Sequence, residues 1–292
     1  MVIEQLINGI TLGSIYAIVA LGFTLVFGVL GIINMAHGEI FMVGAFVGVM
    51  TTSVLGWPLW LAFLASIAVT AILGYFLEVF SLRPLRGKKG VSHLAPLIST
   101  IGVSIFLENL SHHLFGAGNQ PFRASFADIK FEIGSITVYL VQILIFAISI
   151  ALMIGLSIWL SKTKAGKALR ATAENLETAS ILGVDTKKII TLTVVIASAM
   201  GGIAGILVGM AFNSVSPQMG LSMGLKGLAI IILGGMGNVK GAMAGGLILG
   251  LSETFLVAYG DSGYRDAIAF IMIILILLIR PQGLFGKTAE GR

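Results

Sequence analysis

SKTKAGKALRATAENLETASILGVDTKK (residues 161–188) is a polar stretch between two long apolar segments of the chain. Its apolar and charged residues recur at helical spacing on two different faces. The apolar face carries Leu169, Ala173, Leu176 and Ala179, and the charged face carries Lys167, Arg170, Glu174 and Glu177. The pattern predicts a short amphipathic helix with Gly183 as its C-cap, after which Asp185 begins the next helix. Such a helix suits docking into a groove of a soluble protein, and a solvated connector is the alternative.

The composition excludes a soluble domain. Hydrophobic residues make up 57% of the chain and charged residues 11%, and the mean hydropathy is +1.03, whereas soluble domains are about 25% charged. We therefore expect an all-α polytopic membrane protein that forms a single transmembrane domain over residues 1–292. Glycines at Gly44, Gly48, Gly201 and Gly205 are spaced for close helix packing. Without cysteine the chain has no disulfide or thiolate chemistry.

The positions of the basic residues give the topology and argue against nucleic-acid binding. No Lys or Arg precedes Arg83, so a cleaved signal peptide is not expected. Thirteen of the 18 basic residues form three clusters, which the positive-inside rule places in the cytoplasm together with the C-terminus. The clusters are Arg83, Arg86, Lys88 and Lys89; Lys162, Lys164, Lys167, Arg170, Lys187 and Lys188; and Arg280, Lys287 and Arg292.

Because the clusters share one side, an even number of crossings must separate them. Segments 96–115 and 136–160 meet this condition and leave residues 116–134 outside. Beyond residue 188 three apolar blocks appear, so one block must be two. Residues 225–258 would measure about 51 Å as a single helix, and we expect a split at the glycine-rich run 234–241. The first part would be a short or re-entrant helix and the second a full span.

The N-terminal third shows a similar interruption. The apolar run 6–33 meets Asn34, His37, Gly38 and Glu39 before residues 40–54 continue it. A similar interruption in each half of the chain is typical of a duplicated transporter fold. We therefore expect about eight to nine apolar helical segments, with one Gly/Asn-broken helix in each half. The charges do not decide whether the first break is a cytoplasmic turn or a discontinuity inside the membrane.

Ionisable residues inside a membrane usually face a pore, a partner or the bundle interior. Asn34 and His37 are candidates to line or gate a translocation pathway, and Gly38 permits a substrate or a helix to approach closely. Glu39 is expected to cap the free N–H groups of the second helix. In the alternative, Glu39 only caps and His37 binds a backbone carbonyl. By the same logic the second break adds Gly235, Gly237 and Asn238 to the candidates.

Enzyme motifs are missing from the sequence. Gly286, Lys287 and Thr288 resemble the end of a phosphate-binding loop, but Pro281 stands where that motif requires glycine. No HExxH or GxSxG motif occurs, so we expect no catalytic residue and no metal site. Glu108 and Glu253 are expected to pair with polar groups on neighbouring helices, and Glu78 lies near Arg83.

Several stretches resemble the LivH/LivM permease family of branched-chain amino acid ABC transporters, and most closely its LivH side. They are residues 12–46, residues 225–250, the ending RPQGLFG (residues 280–286), and the polar stretch. There the resemblance to the cytoplasmic coupling loop of the family rests on Gly166, Leu169, Arg170, Ala171, Asn175, Ala179, Leu182, Gly183 and Val184. It implies ATPase coupling through these positions and Leu176. It also favours the mid-membrane discontinuity at residues 34–39.

The resemblance implies a permease subunit of an ABC importer in the bacterial inner membrane. Its implied partners are a second homologous permease, two ATPase subunits, a periplasmic binding protein and membrane lipid. ATP and Mg would be bound by the ATPases, and this chain would hold no cofactor. The implied substrates are branched-chain amino acids, with urea, short amides, other amino acids and small aromatic acids as alternatives. A secondary transporter or a channel fits less well, because the spans are nearly uncharged and one loop is elaborate.

Overall fold

The computed structural model describes residues 2–86, 92, 94–122, 129–133 and 136–286, and these are mostly helical. Parts of the first and third basic clusters, namely Lys88, Lys89, Lys287 and Arg292, lie outside the described residues. The helices are α1 Val2–Leu30, α2 Ala36–Val49, α3 Leu59–Phe76, α4 Ala95–Phe115, α5 Leu140–Lys162, α6 Lys164–Glu174, α7 Leu176–Ile181, α8 Thr186–Phe212, α9 Met219–Gly234, α10 Val239–Tyr259 and α11 Ala267–Ile279. Turns of π-helix at Met50–Val54 and Leu77–Leu82 extend α2 and α3.

Six helices are long and apolar enough to cross a membrane: Val2–Leu30, Ala36–Val54, Leu59–Leu85, Leu140–Lys162, Thr186–Phe212 and Val239–Tyr259. The prediction of a polytopic helical membrane protein is thus confirmed. The helices α9 and α11 are apolar but shorter. The predicted span at 96–115 forms the helix α4, which has 21 residues. Its sequence includes Glu108, Asn109 and His112, so its composition falls short of a candidate span.

The core is built around α1, α2 and α8. Almost every residue of α1 from Thr11 to Val26 is buried, so this helix is surrounded by others. Glycines let the backbones approach, as the spacing predicted. A Cβ on Gly205 of α8 would lie only 2.7 Å from the Ala45 nitrogen of α2. In the same way α1 and α10 run antiparallel, because Gly13 faces the Leu247 backbone and Gly9 faces Leu251.

Two short antiparallel β-ribbons, which the all-α prediction missed, lie between helices. Strand β1 (Gln120–Pro121) pairs with β4 (Ser214–Val215), and β2 (Lys130–Ile133) pairs with β3 (Ile136–Tyr139). The β1–β4 pair joins the segment after α4 to the end of α8, and Phe122 beside it is buried against Gly48 and Gly209. The ribbons are too short for a period-2 pattern to mark them in the sequence.

Candidate translocation site

The interruption between α1 and α2 lies slightly earlier than predicted. Helix α1 ends at Leu30, and Gly31 adopts φ +65°, a left-handed conformation that favours glycine. The Asn34 Oδ1 accepts a hydrogen bond from the Ala36 nitrogen at 3.2 Å, and the Asn34 carbonyl accepts one from the His37 nitrogen at 3.3 Å. This local turn starts α2 at Ala36. The prediction that residues 34–39 are unwound is therefore wrong for its last residues, because His37, Gly38 and Glu39 lie in the first turn of α2.

His37 is enclosed on all sides. Its ring is fully buried and meets the Phe23 ring edge-on, with the ring centroids 4.7 Å apart. Gly22 of α1 and Gly201 of α8 leave the space that the imidazole fills. Among the described residues, neither ring nitrogen has a hydrogen-bonding partner. The alternative in which His37 binds a backbone carbonyl is therefore wrong for this structure.

Glu39 does not cap α2, so that expectation was wrong. Its Oε1 accepts a hydrogen bond from Ser104 of α4 at 3.3 Å, and its Oε2 has no partner among the described residues. The carboxylate lies directly against Gly220 of α9. No side chain forms an N-cap hydrogen bond at Met35. The Asn34 turn replaces the predicted cap, since its short side chain reaches the first N–H of the helix.

Gly38 permits a close approach, and a helix makes it. A Cβ at this position would overlap the Gly220 carbonyl oxygen and lie 2.9 Å from the Gly224 Cα, both in α9. The start of α2 is thereby fixed between α1, α4, α8 and α9. Within the described residues, the Asn34 Nδ2, both His37 nitrogens and the Glu39 Oε2 are buried without partners. Each such group costs about 1–3 kcal/mol, so the fold tolerates a concentrated polar site here.

The second interruption lies where it was predicted, between α9 and α10. Gly235 and Gly237 adopt φ +101° and +81°, and Asn238 caps α10 by accepting from the Gly241 nitrogen at 3.0 Å. The Asn238 Nδ2 also donates to the Phe285 carbonyl at 2.8 Å, and Phe285 donates back to Gly234 at 3.0 Å. The ending RPQGLFG thus packs on this joint. The joint lies close to Gly28 near the end of α1. His37 and Glu39 do not contact the joint, since they lie against Gly201 and Gly220.

The polar stretch forms two helices, and the prediction of one amphipathic helix was wrong. Asn175 has extended backbone angles and ends α6, and its Oδ1 accepts from the Thr178 nitrogen at 2.8 Å to begin α7. A side chain that accepts a backbone hydrogen bond in this way favours a helix start over a position in the interior of a continuous helix. Gly183 then ends the segment at φ +86°, and Asp185 caps α8 through the Lys188 nitrogen at 3.1 Å, both as predicted. That hydrogen bond lowers the pKa of the Asp185 carboxyl below its ordinary value.

Burial divides the predicted coupling residues into two groups. Gly166, Leu169 and Ala179 are buried, and Gly166 lies against the backbone of α5 at Trp159 and Leu160. The others are exposed: Arg170, Ala171, Asn175, Leu176, Leu182 and Gly183. Ile181 was not among the predicted residues, although it and Leu182 are the most exposed large apolar residues of the segment, at 79% and 76%.

Comparisons with known proteins show the family. The family described as branched-chain amino acid transport system / permease component matches residues 5–277. The high-affinity branched-chain amino acid transport system permease protein BraD of Pseudomonas aeruginosa is 40% identical, over 98% of this chain and 96% of that protein. The chain belongs to this family of permeases.

Other proteins resemble this chain at lower identity. The Escherichia coli K12 permease protein LivH is 37% identical over 98% of this chain and 96% of its own length. LivM of the same organism is 26% identical over 95% of this chain and 69% of its own length. Among solved structures, PsaBC from Streptococcus pneumoniae in complex with Fab has a TM-score of 0.50 at 14% identity. The match covers 95% of this chain and 92% of that one, and it shows the fold alone.

The permease also contains an ion cluster around the buried residues Glu253 and Lys226, and of its members only Glu253 was predicted to pair. The Lys226 Nζ of α9 lies 3.0 Å from the Glu253 Oε2 of α10 and 2.9 Å from the Asp266 Oδ1. The Arg265 Nε lies 2.7 Å from the Glu253 Oε1, and the Tyr16 hydroxyl of α1 donates to Glu253 at 2.8 Å. Two cations and two carboxylates make the cluster neutral. A lone lysine in the apolar run 225–232 was the signal that could have revealed it.

Proposed function

We propose that this chain is the membrane-spanning permease subunit of an ATP-driven importer for branched-chain amino acids, and that it catalyses no reaction itself. The observation that carries the proposal is the match to permeases of this substrate class over nearly the whole chain, at 37–40% identity. The substrate follows from the names of these relatives. Urea, short amides, other amino acids and small aromatic acids are the competing substrates.

The proposed assembly contains four kinds of subunit in the inner membrane. LivH and LivM of one organism are both related to this chain, which supports a second permease as its partner. Two ATPases would dock on the cytoplasmic side and hold ATP and Mg, and a periplasmic protein would deliver the substrate. Exposed Ile181 and Leu182 support this docking, because an apolar tip in water is stabilised when a partner groove covers it.

The start of α2 is the proposed lining of the pathway. His37 lies against Gly201 of α8, which is about 22 Å along the axis from Thr186 and about 16 Å from Phe212. This position supports a helix that begins near the middle of the membrane, as in transporters with discontinuous helices. Asn34 and His37, which are buried in this structure, would face the substrate when the pathway opens. Gly38 would hold α2 against α9, and Glu39 would position the turn through Ser104. A mid-membrane helix N-terminus favours a carboxylate.

The second joint has a different proposed role. Gly235, Gly237 and Asn238 are held by the C-terminal segment and by the end of α1, so we propose that they act as a hinge or gate near the cytoplasmic face. Movement of the coupling segment would reach this joint through α1, which contacts both α6 and α10.

Uptake by the reconstituted complex tests this proposal. The complete complex is reconstituted in proteoliposomes, with ATP supplied on the side of the ATPases and with the binding protein present. These proteoliposomes should accumulate labelled leucine. Unlabelled isoleucine and valine should compete, whereas urea and acetamide should not. ATP-dependent uptake of urea with no competition between leucine and valine would reject the substrate assignment. Uptake without ATP would reject the ABC importer in favour of a secondary transporter or channel.

A further inference from the structure

A groove of about 520 Å³ lies on the cytoplasmic side, between the end of α3 and the start of α8. Arg83 and Thr191 meet in it, since the Arg83 Nη2 donates to the Thr191 Oγ1 at 2.9 Å. Lys187 and Lys188 line the opposite wall. Two basic clusters that are a hundred residues apart in the sequence therefore form one site in the fold.

The charges of this groove are only partly neutralised. Asp185 pairs with Lys188, the Asp185 Oδ2 lying 3.0 Å from the Lys188 Nζ. Buried Glu78 pairs with Arg86 at 2.6 Å and less closely with Arg83 at 3.4 Å. Lys187 forms no ion pair with any carboxylate in the part of the chain that the structure describes. With three cations and one carboxylate among its lining residues, the groove retains two positive charges.

An apolar surface continues from the basic end of the groove. Leu192 and Val195 lie one and two turns along α8 from Lys188, and Tyr75 faces them from α3 with its ring half exposed. Tyrosine is enriched at the boundary between headgroups and acyl chains. A site with cations at the membrane surface and an apolar floor below them matches a phospholipid, which carries phosphate and acyl chains in the same order.

We propose that this groove binds an anionic phospholipid of the inner leaflet. Arg83, Lys187 and Lys188 surround the phosphate, and an acyl chain lies along Leu192 and Val195. Asp185 already occupies the N-cap of α8, so side chains rather than the helix start hold the anion. An acidic segment of a partner protein would satisfy the cations but leave the apolar floor uncovered, which favours the lipid.

Titration of the full-length permease in neutral detergent tests the proposal, with thermal unfolding as the readout. Dioctanoyl phosphatidylglycerol should raise the melting temperature saturably, and dioctanoyl phosphatidylcholine and glycerol 3-phosphate should not. Lys187→Gln should weaken the apparent affinity about five-fold, the value of one basic residue near an anionic surface. Lys162→Gln is the matched control, because Lys162 is exposed at the end of α5 and lies outside the groove. It should leave the affinity unchanged.

Three results would overturn the proposal. If Lys187→Gln and Lys162→Gln weaken the lipid affinity equally, the lipid is attracted to basic charge in general and not to the groove. A saturable shift with glycerol 3-phosphate alone would show a site for a soluble anion. Loss of the lipid effect when purified ATPase subunits are added would show that the groove is a docking surface for a protein. Lys187 is exposed and makes no described ion pair, so its replacement is expected to leave the folded state intact.

Discussion

At the scale of single residues, the ion cluster shows how the permease keeps four charges among its helices. Glu253 is completely buried and receives Lys226, Arg265 and Tyr16. Removing one partner from a buried pair leaves an uncompensated charge, which costs about 3–5 kcal/mol. The cluster links α1, α9 and α10 with the segment before α11. We infer that it fixes the relative position of these helices.

Glu253→Gln should therefore lower the free energy of unfolding by about 3 kcal/mol, measured by thermal unfolding in detergent. Adding Lys226→Met to this variant should recover part of the loss, because it removes a buried ammonium whose remaining carboxylate partner is the exposed Asp266. Glu132→Gln is the control, since it breaks the exposed Lys130–Glu132 pair of similar length, 2.9 Å, and exposed pairs contribute little. Additive losses in the double variant would contradict a coupled cluster.

Residue patterns in the sequence revealed the candidate site residues only in part. His37 and Glu39 stood out because charged side chains are rare in apolar runs, and both proved to be buried. Their partners could not be predicted, because Ser104 and Gly220 come from helices distant in the sequence. Lys226 carried the same signal and was overlooked, and its partners could not be predicted either, because its carboxylates lie 27 and 40 positions further along the chain.

At the scale of secondary structure, strong local signals were predicted well. Gly183, Asp185 and the glycine run before Asn238 mark helix ends through backbone geometry, which depends on a few neighbouring residues. The break at Asn175 was missed because the apolar stripe continues through it. The cap is a local hydrogen bond of the Asn175 side chain, and it leaves the periodicity of the flanking residues unchanged. The β1–β4 ribbon depends on packing between distant segments, and local sequence does not encode it.

The division of the coupling segment changes which residues should bind the ATPase. Ile181→Asp combined with Leu182→Asp should abolish co-purification of the ATPase and substrate-stimulated ATP hydrolysis, because charged groups would replace the exposed apolar tip. Permease yield should stay normal. By contrast, Leu169→Asp should lower the yield, since Leu169 is buried within the chain. Phe131→Asp is the matched control, because Phe131 is an exposed apolar residue of β2. If the double variant still co-purifies with the ATPase and still shows stimulated hydrolysis, the loop is only a connector.

At the scale of the whole molecule, contacts between helix ends predict the side of the N-terminus, which charge counting left undecided. Asn8 of α1 accepts a hydrogen bond from the Gln142 Nε2 of α5 at 2.6 Å. The positive-inside rule predicts that Lys162 at the end of α5 is cytoplasmic, so we expect the starts of α5 and α1 on the external side. We likewise expect the end of α10 outside and the joint with RPQGLFG inside.

Reporter fusions check this topology. A fusion at the N-terminus and one inserted at Ser262 should give external signals, and one at Asp185 should give a cytoplasmic signal. Single-cysteine labelling at the same positions, in a chain that has no natural cysteine, provides an independent readout. Signals from opposite sides for the N-terminus and Ser262 would contradict the antiparallel arrangement of α1 and α10, and a cytoplasmic Ser262 would contradict the division of α9 from α10.

The central claim is that substrate passes the buried start of α2, and transport by a single variant tests it most directly. ATP-driven leucine uptake should be measured in proteoliposomes holding the complete complex with wild-type permease, His37→Ala, or the control His113→Ala, whose side chain is exposed on α4. We predict normal uptake for the control and at least a ten-fold loss for His37→Ala, with complex yield and basal ATP hydrolysis near wild type. Wild-type uptake by His37→Ala would contradict the claim and assign the start of α2 a purely structural role.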